Sequence, residues 1–547
     1  MNTPVDSARG SYKDPDARRR APLGREPRLA ISPDVLIRYN ALVLDPATAV
    51  RVPGQSPIRP TVYIGDRLIV SATASEATKG ALQEAAKRNG LQIVIEDRSR
   101  HRRTAELARR AGLQEFPALF SETVRLVPAD SGPAAPPDAW LVLQTFRALI
   151  GQGDPGQRDV ALDHLMTATP FVNSSPFVNG SPFVNGSPFV NGSPFVNGSP
   201  VSQYGQPGWG GRAPVAWTGQ PPARRPELRP RRPVVAVLDT GVGMHPWLPE
   251  DIVLRNVSVL GVPVGLHDPL TDPEVTGVVD DPYEGVLDSD SGHGTFIAGL
   301  IRQACPDANI LAIRVMPSDG AVAESDLLNA VKLLAIQQHT AQLNGDQSGV
   351  LDVVSMSLGY YHEQSDDMSF DPQLLGPLRA LSHAGVAVVA SAGNDATDRP
   401  MYPAAFTPYP GGQVGELETD AVPLISVGAF NPDQSIALFS NGGPWVACHR
   451  TGAALVSTFP VTFDASAQPS HRFSMPGEGW RETIDPDDFS SGFGTWSGTS
   501  FAAPVLAGEL AQSLVEGKCG PLNEIDPPSS VSRMWTALAH RLGMTRP

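Results

Sequence analysis

Apolar positions along this chain follow two patterns, with the change near residue 230. Beyond it, short apolar runs recur at residues 234–238, 310–315, 350–355, 386–390 and 424–427. Runs of that length, rich in Val and Ile and without alternation, read as strands buried on both faces. A helix-period stretch at 324–335 lies between two of them, and another closes the chain at 529–542. This alternation predicts an α/β fold of three layers, α/β/α, around a mostly parallel central sheet. Before residue 230 the segments are shorter and mixed. Residues 62–70 read as a strand, or a hairpin around Gly65-Asp66. Ser75 caps a helix with Ala77, Ala81, Leu82, Ala85 and Ala86 on one face, stopped by Asn89-Gly90. Leu91, Ile93 and Ile95 alternate as a strand. A short helix follows at 104–111, a strand at 124–127, and a helix capped by Asp138 through Trp140, Leu143, Phe146 and Ile150. That order predicts a small α+β domain, ferredoxin-like in layout.

Between the two regions the unit PFVN-Gly/Ser-Ser recurs five times over residues 170–199. Pro and Gly punctuate it every six residues, so neither helix nor long strand persists. The composition reads as a linker, continued by a Gly/Pro/Arg-rich stretch. The other reading makes the regularly spaced Phe-Val pairs anchors that dock on a surface. The organisation expected is a disordered basic N-terminus over 1–32, an α+β domain over 33–166 and a linker over 167–232. A main domain over 233–520 and a tail with a short helix over 521–547 complete it.

At 547 residues there is ample chain for more than one core. The net charge of −15 argues against nucleic acid as a partner. Three cysteines, Cys305, Cys448 and Cys519, lie far apart and offer neither a disulfide framework nor zinc spacing. No apolar run reaches membrane-spanning length, and the N-terminus shows charge without a following apolar segment. The expected location is cytoplasmic, with secretion as the alternative.

Three strings carry chemistry. VVAVLDTG (234–241) reads as a buried strand delivering Asp239 at its C-terminal edge. SGHGTFIAG (291–299) places His293 at the start of a helix, and SGTSFAAP (497–504) places Ser500 at another helix start. A helix N-terminus favours developing negative charge, which is what an acyl-transfer nucleophile needs. Each string alone reads equally as a cap or a loop. The order Asp…His…Ser is one of the known arrangements of the hydrolytic triad.

With these strings the chain resembles the subtilisin-like serine peptidases, the subtilases, over roughly residues 230 to 520. VVASAGND (388–395) matches the family's oxyanion segment, and SMSLG, MYPAA and LISVGAF follow in family order. The departures are Phe296 after His-Gly-Thr, the string ACHRTG after SNGGPWV, and an insertion over 460–494. The resemblance implies a serine endopeptidase with Asp239, His293 and Ser500 as triad and Asn394 in the oxyanion hole, needing no cofactor for the chemistry. It implies that Gly320, Ala321 and Val322, with Ser357, Leu358 and Gly359, pair an extended substrate backbone. Ser391, Ala392, Gly393 and Met401 would form the specificity pocket, for a medium apolar or basic side chain. The acidic loop with Asp268, Asp272, Glu274, Asp280, Asp281 and Glu284 either ligates structural Ca²⁺ or is a solvated acidic loop. Subtilases commonly carry a small N-terminal prodomain that inhibits the enzyme. Residues 33–166 suit that role, or are an unrelated accessory domain. The expected partners are protein or peptide substrates and the chain's own N-terminal domain as inhibitor. A reading of another class is a catalytically silent scaffold on the same fold, using the PFVNGS repeats for interaction; the intact constellation speaks against it.

Overall fold

A computed structural model describes residues 26–27, 29, 31–95, 98–114, 116–130, 136–151, 153–168, 204, 210–364, 373–412, 414–477 and 479–547. The expected disordered terminus falls almost wholly, and the PFVNGS repeats wholly, outside the described residues.

The first unit opens with α1 (Pro33–Arg38) and β1 (Ala41–Leu44), then β2 (Thr61–Val70), α2 (Glu76–Arg88), β3 (Leu91–Ile95) and α3 (Arg98–Arg110). It continues with β4 (Glu122–Pro128), α4 (Ala139–Ile150) and β5 (Val160–Ala168). The strand order is β5-β2-β4-β3, antiparallel throughout, with β1 on β2. This is the ferredoxin-like order, with α3 added in the β3–β4 connection. Ser75 Oγ accepts the Thr78 N–H at 3.0 Å and Asp138 Oδ1 accepts the Trp140 N–H at 2.9 Å, which sets where α2 and α4 begin. Their apolar stripes, among them Leu82, Ala85, Trp140, Leu143 and Phe146, close over Leu68, Val124, Leu126 and Leu162 of the sheet.

Residues 62–70 form one strand, not a hairpin; its register against β5 shifts between Tyr63 and Leu68, which absorbs the Gly-Asp pair. The helix expected at 104–111 starts earlier, at Arg98. β5 was not foreseen at all.

The second unit contains β6 (Val234–Asp239), α5 (His293–Ala304), β7 (Asn309–Arg314), β8 (Ala321–Ala323) and α6 (Glu324–Asn344). Next come β9 (Val353–Met356), β10 (Leu358–Gly359), α7 (Leu375–His383), β11 (Ala387–Ser391), β12 (Ile425–Phe430) and β13 (Cys448–Thr451). Two helices, α8 (Thr499–Val515) and α9 (Pro527–Leu542), complete it. Its central sheet runs β13-β12-β11-β9-β6-β7 and then Val253–Leu254, all parallel. Along β6 the side chains alternate between two apolar layers. Ala236 and Leu238 meet α6 and α7, and Val235 and Val237 meet α5, α8 and α9. A strand buried on both faces has no polar side to show, which is why it reads as an unbroken run.

The two units share a sheet. β5 pairs antiparallel with β8 and, at its end, with β10. Ile69 and Met166 of the first unit join the apolar layer of α6. Asp163 accepts the Ser325 N–H at 2.9 Å and its hydroxyl at 2.7 Å, capping α6, whose own N-cap Ala323 has no side-chain acceptor to offer. The expected linker over 167–232 is narrower on both sides. Thr167 and Ala168 are in β5, and residues 210–232 are bound to the second unit. Ala213–Pro214 pairs with the strand Phe493–Trp496, and the Arg231 guanidinium grips Asp352 at 2.7 and 2.8 Å. Among the described residues no helix is long and apolar enough to cross a membrane.

Candidate active site

β6 ends at Asp239 at the carboxyl edge of the parallel sheet, where such sheets present ligand-binding groups. Asp239 Oδ1 accepts the Thr240 N–H at 2.8 Å and faces His293 Nδ1 at 2.7 Å. His293 is the first residue of α5, and the helix start is pressed onto the turn after β6. A Cβ on Gly294 would stand 2.0 Å from the Gly241 carbonyl oxygen, so only glycine follows His293 here. The imidazole is fully buried, lying against the Trp496 ring at 5.8 Å and the Phe501 ring at 5.2 Å. Burial works against its charged form, but Asp239, Asp290 and Glu274 outweigh that and hold the imidazole above its ordinary value.

Ser500 sits in the first turn of α8, with Oγ 3.4 Å from the Ser357 carbonyl oxygen; Ser357 Oγ in turn donates to the Ser500 carbonyl at 2.9 Å. Asn394 Oδ1 accepts the Thr499 N–H at 3.0 Å and the Thr499 hydroxyl at 2.9 Å. With its oxygen so committed, the amide has one orientation at the head of α8, and its NH₂ is the free-turning end's opposite: fixed, and a donor only. The structure thus pairs Asp239 with His293, holds Asn394 on Thr499 beside Ser500, and brings the head of α8 to His293 through the Phe501 ring.

The residues expected to bind backbone are already paired. The Ala168 N–H donates to the Gly320 carbonyl at 2.7 Å; Val322 pairs with Met166, Leu358 with Ala168 and Gly359 with Thr167. Ser391 ends β11, and Ala392 and Gly393 follow it beside Met401, whose side chain stands between Gly393 and Gly359 as a floor. The Asp395 carboxylate at this rim accepts the Tyr361 hydroxyl at 2.6 Å.

The acidic loop spends its carboxylates locally. Asp268, Asp272, Glu274, Asp280, Asp281 and Glu284 form no convergent ligand set among the described residues. Asp268, Asp272 and Asp281 cap turns, accepting the Leu270, Glu274 and Tyr283 N–H groups at 3.0, 3.0 and 2.9 Å. Asp280 pairs with Arg38 at 2.9 Å. Glu274 is buried beneath Asp239 and His293. Carboxylates spent on local N–H groups are turned away from one another.

Sequence reasoning missed the charges buried where β5 meets the second unit. His164 Nδ1 lies 2.7 Å from Glu324 and Nε2 2.9 Å from Glu363, and the ring stacks on Tyr360 at 4.3 Å. Lys332 of α6 donates to the Ser121 carbonyl at 2.8 Å and hydroxyl at 2.7 Å, and burial pushes its amine down to about 7. Arg212, just past the repeats, donates to the carbonyls of Asp288 and Ser291 at 2.9 and 3.1 Å, bracing the turn before His293. None of these has a local motif.

Residues 231–518 match the sequence model of the subtilase family. The chain belongs to the subtilase family. This subtilase is 27% identical over 300 residues to the serine protease AprX of Bacillus subtilis, covering 51% of this chain and 55% of that protein. It is 26% identical over 316 residues to an intracellular serine protease of Paenibacillus polymyxa, covering 55% and 69%. The chain thus spans about half the length of the first of these relatives. Among solved structures it is similar to a cold-adapted subtilisin-like serine proteinase, at 21% identity and TM-score 0.33, covering 58% of this chain and 86% of that one. Fervidolysin from Fervidobacterium pennivorans, a keratinolytic enzyme related to subtilisin, matches at 17% identity and TM-score 0.41, covering 86% and 59%.

Proposed function

We propose that this subtilase is a serine endopeptidase whose cleft is occupied, and so inhibited, by its own N-terminal unit. His293 takes the Ser500 proton as Ser500 attacks a peptide carbonyl, then returns it to the leaving amine. Asp239 fixes the imidazole and supports its charge. The Asn394 NH₂ and the Ser500 N–H receive the oxyanion. No cofactor enters these steps. Substrate binds as an added strand between β8 and β10, read by main chain first and by the pocket at Gly393 and Met401 second.

The observation that carries the inhibition is β5 itself. It lies as that added strand, and Ala168 at its end pairs with Leu358, the neighbour of Ser357, whose carbonyl oxygen is 3.4 Å from Ser500 Oγ. A cytoplasmic setting remains part of the proposal, supported by three unpaired thiols.

A fluorophosphonate probe tests the reading. The intact chain is expected to react slowly, the chain cut between residues 168 and 210 and freed of its N-terminal unit quickly, and the Ser500→Ala variant not at all. A chain inert in both forms would leave the silent scaffold as the function. An intact chain as reactive as the freed one would remove the inhibition.

A further inference from the structure

We propose that Glu274 is a positioning residue of the catalytic centre, holding the Asp239 carboxylate in line with His293 through Thr240 and tying the helix that carries His293 to the same point through Thr295. The proposal rests on the triad reading above. Glu274 Oε1 meets Thr240 Oγ1 at 2.5 Å and accepts the Gly292 N–H at 3.2 Å; Oε2 accepts the Thr295 hydroxyl. Thr240 Oγ1 lies 3.2 Å from Asp239 Oδ1 and accepts the Gly294 N–H at 2.9 Å. Thr295 Oγ1 accepts the Gly243 N–H at 2.7 Å. One carboxyl group therefore joins the turn after β6 to the first turn of α5, and these are the two elements that deliver Asp239 and His293. Glu274 and both threonines are fully buried, so water does not compete for any of these bonds.

The two threonines are the Thr of Asp-Thr-Gly and the Thr of His-Gly-Thr. Their spacing in sequence is that of the motifs, but the carboxyl that unites them comes from a separate loop. Burial, opposed by the two hydroxyls and reinforced by Asp272 and Asp239, pushes that carboxyl up to about 8. Below that pH Glu274 carries a proton and donates it to Thr240 Oγ1, which leaves the Thr240 hydroxyl to donate to Asp239. Above it the Thr240 hydroxyl turns to the ionised Glu274, and Asp239 loses a donor and gains a neighbouring negative charge. The charged and titratable groups facing this assembly are Asp239 at the end of β6, His293 and Asp290 at the head of α5, and Asp272 and Arg255 from the loops.

Glutamine keeps an acceptor for Thr295 and a donor for Thr240 and gives up only the acceptor of the Gly292 N–H at 3.2 Å; alanine keeps none of the three. In the chain cut between residues 168 and 210 and diluted until its N-terminal unit has left the cleft, Glu274→Ala is expected to lower kcat by about tenfold or more with KM within about twofold, because alignment matters most in the transition state. It should also abolish the low-field proton resonance of the His293–Asp239 hydrogen bond. Glu274→Gln should keep the resonance and most of kcat below neutral pH, and its pH–rate profile should lack the inflection near about 8 that the wild type shows. Unchanged kcat and resonance in Glu274→Ala would overturn the proposal, as would a Gln variant no better than Ala. Where the Ala variant does not fold, an inflection that persists in Glu274→Gln overturns it. A wild-type chain that neither reacts with fluorophosphonate nor hydrolyses peptide would sink the peptidase reading instead. The resonance, which needs no substrate, would then still report whether Glu274 holds the pair.

Discussion

At the scale of single residues, the site is built from small groups whose only freedom has been removed. Asn394 is the clearest case: its amide oxygen is held twice by Thr499, so the NH₂ end has a single direction. A donor fixed in advance helps only where charge develops, so Asn394→Ala should lower kcat by about 10²–10³-fold while leaving KM nearly unchanged. Steady-state kinetics on a short peptide checks this, and a loss appearing mainly in KM would make Asn394 a ground-state binder. Asp239, His293, Ser500 and Asn394 stand out as candidates in the sequence because each sits in a local string of glycines and threonines, some of which the backbone requires. Gly294, against the Gly241 carbonyl, is such a requirement. Glu274 was not legible. Its neighbours Asp272 and Pro273 announce a short capped helix, and nothing local says that the next carboxyl is buried under a triad 18 residues from Gly292.

At the scale of elements, the decisive piece is β5, and its pattern hid it. VALDHLMTA carries Asp163 and His164 in mid-strand, so it reads neither as an alternating strand nor as a buried run. Both polar side chains are buried against the second unit, Asp163 at the head of α6 and His164 between Glu324 and Glu363. A sequence pattern anticipates burial against apolar surface; it does not anticipate burial against matched charge. With a carboxylate on each nitrogen the His164 ring is an imidazolium. Burial opposes that charge, and Glu324 and Glu363 more than offset it, raising the ring to about 9. The other groups facing it are the Tyr360 ring, His362, which burial depresses to about 3, and Arg147, 3.8 Å from Glu363. The docked state prefers the proton. Its contribution to docking is therefore complete below the free imidazole value of about 6.5 and is lost as pH rises through about 9. The fluorophosphonate rate of the intact chain, taken relative to His164→Gln at each pH, should climb across that interval. A ratio that stays flat from mildly acid pH to pH above 9 would remove His164 from the latch.

At the scale of the whole molecule, the two units are held by a shared sheet and by buried polar pairs. On one side of the repeats Ala168 is hydrogen-bonded to Gly320; on the other Gly210 gives its carbonyl to the Ser497 hydroxyl at 2.6 Å, and Arg212 braces the turn before His293. A cut that spares both anchors therefore falls between residues 168 and 210. Such a cut breaks no bond of β5 with β8 or β10, leaves Asp163 on α6, and leaves Lys332 on Ser121. The nicked protein should remain one particle near pH 6 and stay slow toward fluorophosphonate, because the occupant of the cleft has not moved. What the cut changes is concentration. An occupant tethered to the cleft is present at an effective concentration on the order of millimolar, whereas a severed one dissociates on dilution. Reactivity of the nicked protein should then rise with dilution and with pH, and that of the uncut chain with pH alone. Size-exclusion chromatography of the nicked chain, paired with labelling over a dilution series, decides the matter. Fragments that separate at pH 6 without dilution would show that the tether, and not the β5 interface, holds the N-terminal unit in the cleft.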